Sequence, residues 1–216
     1  MSLAIVYTRA NIGVDAPLVT VETHLSNGLP SLTIVGLPET AVRESRERVR
    51  CAILNANLEF PTRRITINLA PADLPKSGGR FDLAIAISIL AASGQIPLQA
   101  LSGYEILGEL ALTGALRPIH GVLPALLAAR AQSRVLLLPR ANQVEASLVR
   151  GVQALVGGHL LDVYQHLING SGMTQCDFDS AALTGSLERE ESSFEQITGP
   201  VAAQRQLHLA AAGSPT

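Results

Sequence analysis

The loop at residues 75–80, with the sequence PKSGGR, carries residue types that serve nucleotide binding and nucleophilic catalysis. A phosphate-binding P-loop places its lysine after the glycines, in the pattern GxxxxGK[ST], whereas Lys76 precedes both glycines of this loop. Ser77 needs a neighbouring base to become a nucleophile, and side chains adjacent in sequence, such as Lys76, usually diverge. The composition therefore favours a glycine-containing loop that leads from a strand into a helix, with Arg80 near the helix start as a candidate anion contact.

A stripe of arginines is the second feature with chemical potential. Arg43, Arg46 and Arg50 are spaced i, i+3 and i+7 on a predicted helix, so they share one face and could follow phosphates. The candidate phosphate contacts are Arg43, Arg46, Arg50, Arg63, Arg64 and Arg80. The alternative is a solvated or subunit-facing surface, because the same helix contains glutamate–arginine pairs four residues apart. Aromatic residues, which stack on single-stranded bases, make up only 3% of the chain.

Composition excludes several classes of protein. The 216 residues are 47% hydrophobic and 16% charged, which excludes global disorder and fits one domain with a tail. The net charge of −2 gives no overall basic field for nucleic acid. The 2 cysteines and 5 histidines lack metal-ligand spacing, so we expect neither a metal site nor a disulfide scaffold. The sequence shows no spanning apolar run and no secretory signal, which predicts a cytoplasmic protein without membrane contact.

Apolar patterning predicts alternating strands and helices. Strands are expected at residues 4–8, 18–24, 32–35, 63–69, 104–112, 115–118, 135–138 and 154–156. Helices are expected at residues 36–57, 81–92, 119–131, 141–149 and 160–167. This alternation predicts an α/β (α+β) fold with a mixed sheet and packed helices. The helix at 81–92 is nearly all apolar, so we expect it to be buried.

The composition changes in the last part of the chain. Residues 170–193 are rich in glycine, serine, threonine and acidic residues, which predicts a flexible acidic linker after a domain at 1–169. Helix potential returns at 194–213. We therefore expect residues 194–216 to be the start of a further module.

Four stretches together resemble the ComM/YifB family of magnesium-chelatase-like AAA+ proteins, which includes competence-related members. They are GLPETAVRESRERVRCAI (36–53), ITINLAPADLPKSGGRFDLAIAISILAAS (65–93), GELALTGALRPIHGV (108–122) and FEQITGPVAAQRQLHLAAAG (194–213). The resemblance implies a domain similar to the Lon protease proteolytic domain, with a ribosomal protein S5 domain 2 type fold, followed by an AAA+ ATPase module. Residues 194–216 would be the truncated start of that module, because the chain contains no Walker A loop.

The Lon-like resemblance also implies where a catalytic dyad would lie. Aligning the Pro-Lys of the loop with the Lon motif places Arg80 at the nucleophile position. The stretch PIHGVLP places Leu123 at the position of the catalytic lysine. Arginine has no hydroxyl or thiol and leucine has no amine, so both dyad positions are degenerate and we expect no catalytic residue in this chain.

The family resemblance implies a role in DNA processing. Its ComM members act in natural transformation as hexameric, ATP-driven helicases that promote branch migration during recombination. We expect this domain to be a non-catalytic DNA-contacting and assembly module that binds single-stranded or branched DNA and takes part in self-association. The alternatives are a protein-interaction or hexamerisation module without DNA contact, and a Lon-like peptidase. ATP and Mg²⁺ belong to the AAA+ module, so this chain is expected to hold no cofactor or metal.

Overall fold

The strands of the first half of the chain follow strict alternation. Every second side chain is buried along β2 (Leu18–Ser26) and β4 (Arg64–Ala70), because successive side chains of a strand point to opposite faces of its sheet. The computed structural model describes residues 2–36 and 40–179, with the side chains of residues 2, 41 and 43 left undescribed. The described residues as far as Phe178 belong to one compact unit.

The described elements confirm a mixed α/β fold. The other strands are β1 (Ser2–Arg9), β3 (Ser31–Val35), β5 (Tyr104–Ile106), β6 (Glu109–Leu110), β7 (Leu116–Arg117), β8 (Val135–Pro139), β9 (Ala154–Gly157) and β10 (Thr174–Cys176). The helices are α1 (Thr40–Asn55), α2 (Asp82–Ala92), α3 (Val122–Ala131), α4 (Gln143–Ser147) and α5 (Leu160–Asn169). Short 3₁₀ turns lie at Leu98–Leu101 and Arg140–Asn142.

Two mixed sheets organise the chain. The first has the strand order β1-β2-β4-β3, in which only the β3–β4 pair is parallel. The second has the order β10-β9-β8-β5, in which only β10 is antiparallel to its neighbour. Strands β6 and β7 form a separate antiparallel pair.

Helix α2 is the centre of the main core. All 11 of its residues are buried, as its apolar composition predicted, and it packs against β1, β2 and α1. Helix α1 contributes the side chains of Val42, Val49, Ala52 and Ile53, which are fully buried. Full burial of a valine or isoleucine side chain stabilises the fold by about 1.5–3 kcal/mol relative to an exposed one. The core therefore fixes α1 by one face and leaves its arginine-bearing face outward.

Three sequence predictions differ from the structure in extent. The strand predicted at 104–112 is divided into β5 and β6, because Gly108 leaves the ladder: its N–H donates to the Arg80 carbonyl and its own carbonyl accepts from the Leu83 N–H. Helix α3 begins at Val122, after Gly121 in the left-handed conformation (φ 68°). The helix predicted at 141–149 is a 3₁₀ turn followed by the short α4.

The range 170–193, predicted to be a linker, contains β10, whose residues pair with β9 in register Thr174↔Val156. The sequence pattern did not reveal this strand, because the adjacent polar residues Thr174 and Gln175 are both exposed and only Cys176 is buried. The predicted helix start at 37–39, residues 180–193 of the linker range and the segment 194–216 lie outside the described residues.

Candidate functional site

The structure brings three of the predicted phosphate contacts to one groove. Arg46 and Arg50 of α1 and Arg63, which directly precedes β4, line a surface groove of about 520 Å³. All three arginines are exposed. The remaining lining residues are Pro30, Ser31, Leu32, Glu47, Leu54, Phe60, Pro61 and Thr62. We call this the basic groove.

Local structure explains how the basic groove forms. Arg46 and Arg50 lie one helical turn apart, so they project from the same face of α1. The connection from α1 to β4 folds back along the helix and places Phe60 under Arg50, whose guanidinium carbon lies 5.2 Å from the ring centroid. A guanidinium at that distance is attracted to the ring face, which holds the Arg50 side chain in place. The groove contains three guanidinium groups and one carboxylate, Glu47, so its charge is positive.

Two of the other predicted contacts, Arg64 and Arg80, lie outside the basic groove. Arg64 is exposed, and its side chain lies beside Gly28. The Arg64 Nε atom is 3.6 Å from the position that a Cβ atom at residue 28 would occupy. The side chain of Arg43 lies outside the described atoms. Arg80 is buried, with only 7% of its surface exposed, and it does not line the basic groove.

Arg48, which also lies on α1, has a structural partner. Its Nε and Nη2 groups donate to Asp82 Oδ2 and Oδ1 at 2.8 and 3.1 Å, and Asp82 is completely buried at the start of α2. Burial raises the pKa of Asp82 to about 6, although the hydrogen bond and the positive charge of Arg48 act in the opposite direction. The hydrogen bond to Asp82 raises the pKa of Arg48. Both groups are charged at neutral pH, because the pKa of Asp82 lies below 7 and that of Arg48 lies far above it. Sequence spacing could not identify this pair, because its partners are 34 residues apart.

Arg80 lines a second, smaller pocket of about 260 Å³, which we call the Arg80 pocket. Its Nη1 group donates to the His120 carbonyl at 3.2 Å, while Nε and Nη2 are buried without a hydrogen-bond partner among the described residues. Burial lowers the pKa of Arg80 to about 10, so the guanidinium remains charged at neutral pH. The other lining residues are Asn11, Ser77, Gly78, Gly79, Glu109, Pro118, Ile119 and His120.

Of the two degenerate dyad positions, Arg80 lines this pocket and Leu123 does not. Arg80 precedes α2, and its contact with His120 brings it to the segment that leads into α3. Leu123 lies in the first turn of α3 and is 37% exposed. The contact between Arg80 and His120 brings together the two chain segments in which the Lon resemblance places a dyad. The groups at the two dyad positions are the guanidinium of Arg80 and the isobutyl side chain of Leu123.

Lys76 has a role that its sequence position did not reveal. Its ammonium group is buried and donates to the carbonyl oxygens of Gly36 and Leu74, each at 2.9 Å, and to that of Pro71. Burial lowers the pKa of Lys76. An ammonium group has three N–H donors, and all three have carbonyl acceptors here, so Lys76 ties the loop to the end of β3. In this geometry Lys76 is not placed to take a proton from the exposed Ser77.

Within residues 2–36 and 40–179, no group of three or more histidine, cysteine or acidic side chains is arranged to hold a metal ion. In the same residues no helix combines the length and apolar character that a membrane span requires.

Comparison with known proteins identifies the family. The sequence profile described as subunit ChlI of Mg-chelatase matches residues 21–142. The chain is 51% identical over 217 residues to the competence protein ComM of Haemophilus influenzae, covering 99% of this chain and 42% of that protein. It is 46% identical over 213 residues to the uncharacterized protein YifB of Escherichia coli, covering 99% of this chain and 41% of YifB. The chain belongs to the ComM/YifB family of Mg-chelatase-like AAA+ proteins, and it spans about two fifths of the length of these relatives.

A more distant similarity agrees with the fold expected from the sequence. The chain is 25% identical over 164 residues to the Lon protease of Syntrophomonas wolfei, covering 70% of this chain and 20% of that protein. The mixed α/β architecture is consistent with this relationship.

Proposed function

We propose that this chain is a non-catalytic, DNA-contacting and assembly domain of a ComM-like AAA+ protein, and that DNA binds in the basic groove. The observation that supports this proposal is the convergence of Arg46, Arg50 and Arg63 on one exposed groove. Arg46 and Arg50 come from a helix, and Arg63 comes from a connection that follows it. Only the tertiary fold aligns them.

The chemistry of the groove suits a phosphate backbone. Guanidinium groups hold phosphate oxygens through two parallel hydrogen bonds, and each contact releases counterions from the nucleic acid. The groove is open along one side of α1, so a strand could follow the helix without entering the core. Phe60 is half-buried beneath Arg50 and supports this guanidinium from below. We expect sequence-independent binding, because the groove offers charge and few groups that could read base edges.

The larger biological role rests on the family. We propose that the complete protein acts in DNA processing during natural transformation, including branch migration, with ATP and Mg²⁺ bound by its AAA+ module. We further propose that it assembles as a hexamer in which this domain adds a DNA-binding surface. The relationship to a competence protein supports the first proposal.

Fluorescence anisotropy of labelled single-stranded and branched DNA tests the groove directly. The change is the triple variant Arg46→Ala, Arg50→Ala and Arg63→Ala. We expect it to weaken binding at low salt, because three phosphate contacts are lost. For single strands, the slope of log affinity against log salt should fall by about 2, since each contact contributes ~0.7.

The matched control removes the same number of positive charges from another part of the surface. Arg130, Arg140 and Arg150 are all exposed and lie outside the basic groove. Their combined substitution by alanine should leave most of the affinity and the salt slope intact. Equal losses in both triple variants would show that net charge, and not the groove, binds DNA. Unchanged binding in the groove variant would favour the protein-interaction or hexamerisation module.

A further inference from the structure

Two arginines of this domain bind carboxylates in the same way. Arg9 donates through Nε and Nη2 to the two oxygens of Glu105, at 2.5 and 2.7 Å. Arg48 donates through the same two nitrogens to the two oxygens of Asp82. The Nε–H and Nη2–H bonds of a guanidinium are parallel and match the spacing of carboxylate oxygens, so they form a two-pronged fork.

Arg80 has the same fork, but the described residues provide no acceptor for it. Its Nη1 group contacts the His120 carbonyl, but Nε and Nη2, the two nitrogens of the fork, have no partner within the described part of the chain. The residue is only 7% exposed, and an unsatisfied buried donor costs about 1–3 kcal/mol. The fold therefore contains a buried guanidinium whose Nε and Nη2 groups, which could bind a carboxylate through two parallel hydrogen bonds, have no acceptor among the described residues.

The nearby carboxylates are engaged with other groups. Glu109 lies 3.5 Å from Arg117. Glu145 accepts from the Val122 N–H at 3.2 Å and from Asn142 Nδ2 at 3.3 Å. Neither forms an ion pair with Arg80 among the described residues, although Glu145 is close enough to favour its charge.

The pocket beside Arg80 is shaped by a glycine. A side-chain carbon at Gly79 would come within 2.5 Å of Glu109 Oε2, so a larger residue there would displace the Glu109 side chain that lines this wall of the pocket. The pocket, of about 260 Å³, is open to solvent on one side and is lined by Asn11, Ser77 and His120, which carry polar groups. These groups could bind the polar remainder of a small ligand while Arg80 binds its charge.

We propose that the Arg80 pocket binds a ligand carboxylate, with Arg80 as its charged partner. A carboxylate fits better than a phosphate because Glu109 and Glu145 repel a doubly charged anion more strongly than a singly charged one. The fork is closed to solvent in the present structure, so binding includes a shift of the Arg80 side chain toward the pocket. A free small acid and the carboxyl terminus of a peptide share this chemistry.

NMR of the complete 216-residue chain, labelled with ¹⁵N-arginine, reports on the fork directly through the Arg80 Nε–H signal. The probes are N-acetylglycine, its uncharged analogue N-acetylglycinamide, inorganic phosphate, and a tripeptide with a free or an amidated carboxyl terminus. We expect N-acetylglycine to shift the Arg80 signal saturably at millimolar concentrations, and the amide to leave it unchanged. Tighter binding of the free tripeptide than of N-acetylglycine would identify the peptide terminus as the source, and equal or weaker binding would identify a free acid.

Variants establish the role of Arg80 itself. Arg80→Met should weaken N-acetylglycine binding by roughly tenfold or more, followed through backbone amide shifts of residues 77–79. Arg80→Lys keeps the charge but lacks the fork, so it should bind N-acetylglycine less tightly than the unchanged chain. This conservative variant provides a second comparison if Arg80→Met does not fold. The control Arg130→Met, at an exposed site on α3, should bind normally.

Several results would overturn the proposal. They are the absence of a saturable shift, an equal shift with the amide, a response to phosphate alone, and undiminished binding in Arg80→Met. The triple variant of the basic groove should keep the response to N-acetylglycine, so failure of the DNA proposal and failure of this one can be told apart.

Discussion

Arg9 and Arg80 are the two buried arginines of the described structure, and they differ in what surrounds the guanidinium. Arg9 joins β1 to β5 through Glu105, which is completely buried, and it also donates to the Ala16 carbonyl at 2.7 Å. Within residues 2–36 and 40–179, Arg80 donates one hydrogen bond, to the His120 carbonyl, and its Nε and Nη2 groups have no acceptor. The Arg9 guanidinium has a carboxylate partner within the fold, whereas two of the three nitrogens of the Arg80 guanidinium have no acceptor among the described residues. Burial alone thus does not indicate whether the fold supplies a buried guanidinium with hydrogen-bond partners.

The largest effect is expected for Arg9→Met. The substitution leaves the Glu105 carboxylate buried without its main partner, and breaking a buried ion pair in this way costs about 3–5 kcal/mol. Arg134 lies 3.8 Å from Glu105 and offsets part of the loss. Urea unfolding followed by circular dichroism measures the change in the free energy of unfolding.

The double variant Arg9→Met with Glu105→Leu is the control for that prediction. Removing both charges should recover most of the lost stability, because a well-packed apolar pair often replaces a buried ion pair at little cost. A double variant as unstable as the single one would show that packing around Arg9, and not the unpaired carboxylate, causes the loss.

Arg48→Ala should have the next largest effect and should depend on pH. The Arg48 side chain is 25% exposed, and solvent screening reduces the expected loss to about 2 kcal/mol at neutral pH. The folded pKa of Asp82 is raised from its ordinary 3.8 to about 6, so the folded state binds this proton more tightly than the unfolded state. The contribution of Asp82 to stability is therefore full below about pH 4 and is lost as the pH rises through about 6.

Removing Arg48 raises the pKa of Asp82 further, because the hydrogen bond and the charge that lower it disappear. The destabilisation by Arg48→Ala should consequently be larger at pH 8 than at pH 5 in urea unfolding. In an Asp82→Asn background the difference between the two pH values should vanish. A pH-independent loss in the single variant would contradict the pairing of Arg48 with Asp82.

Arg80→Met should act in the opposite direction from Arg9→Met. It removes a buried charge with two unsatisfied donors and sacrifices one hydrogen bond of 3.2 Å, so stability should stay constant or rise by about 1 kcal/mol. Thermal unfolding in buffer without carboxylates measures this change. A clear loss of stability would mean that Arg80 holds the loop at 77–79 and the segment before α3 together.

The smallest effect is expected for Arg50→Ala on the exposed side of α1. Its guanidinium contacts the face of Phe60, and such a contact at an exposed site contributes about 0.5–1 kcal/mol. We expect a loss in this range by urea unfolding, together with weaker DNA binding in the anisotropy assay. Lower stability with unchanged DNA binding would assign Arg50 to the fold alone.

Local pattern was sufficient to predict most of the fold. Apolar patterning predicted a strand at 63–69 and a buried helix at 81–92, and the structure confirms both as β4 and α2. In β4 the buried face consists of Ile65, Ile67 and Leu69. The pattern was insufficient where tertiary contacts override it. Gly108 divides a predicted strand because its backbone pairs with the start of α2, and β10 forms from polar residues because an edge of β9 is available.

The sequence by itself determined the family, the class of fold and the residues that carry charge, because these follow from motifs and from periodicities of 2 and 3.6 residues. Only the tertiary structure decided how each charge is used. It placed Arg63 beside Arg46 and Arg50, paired Arg48 with Asp82, enclosed Lys76 among three carbonyl groups, and left the Arg80 fork empty. The physical reason is that local spacing specifies the face on which a side chain lies. Its partner depends on which distant segment the folded chain brings within hydrogen-bond distance.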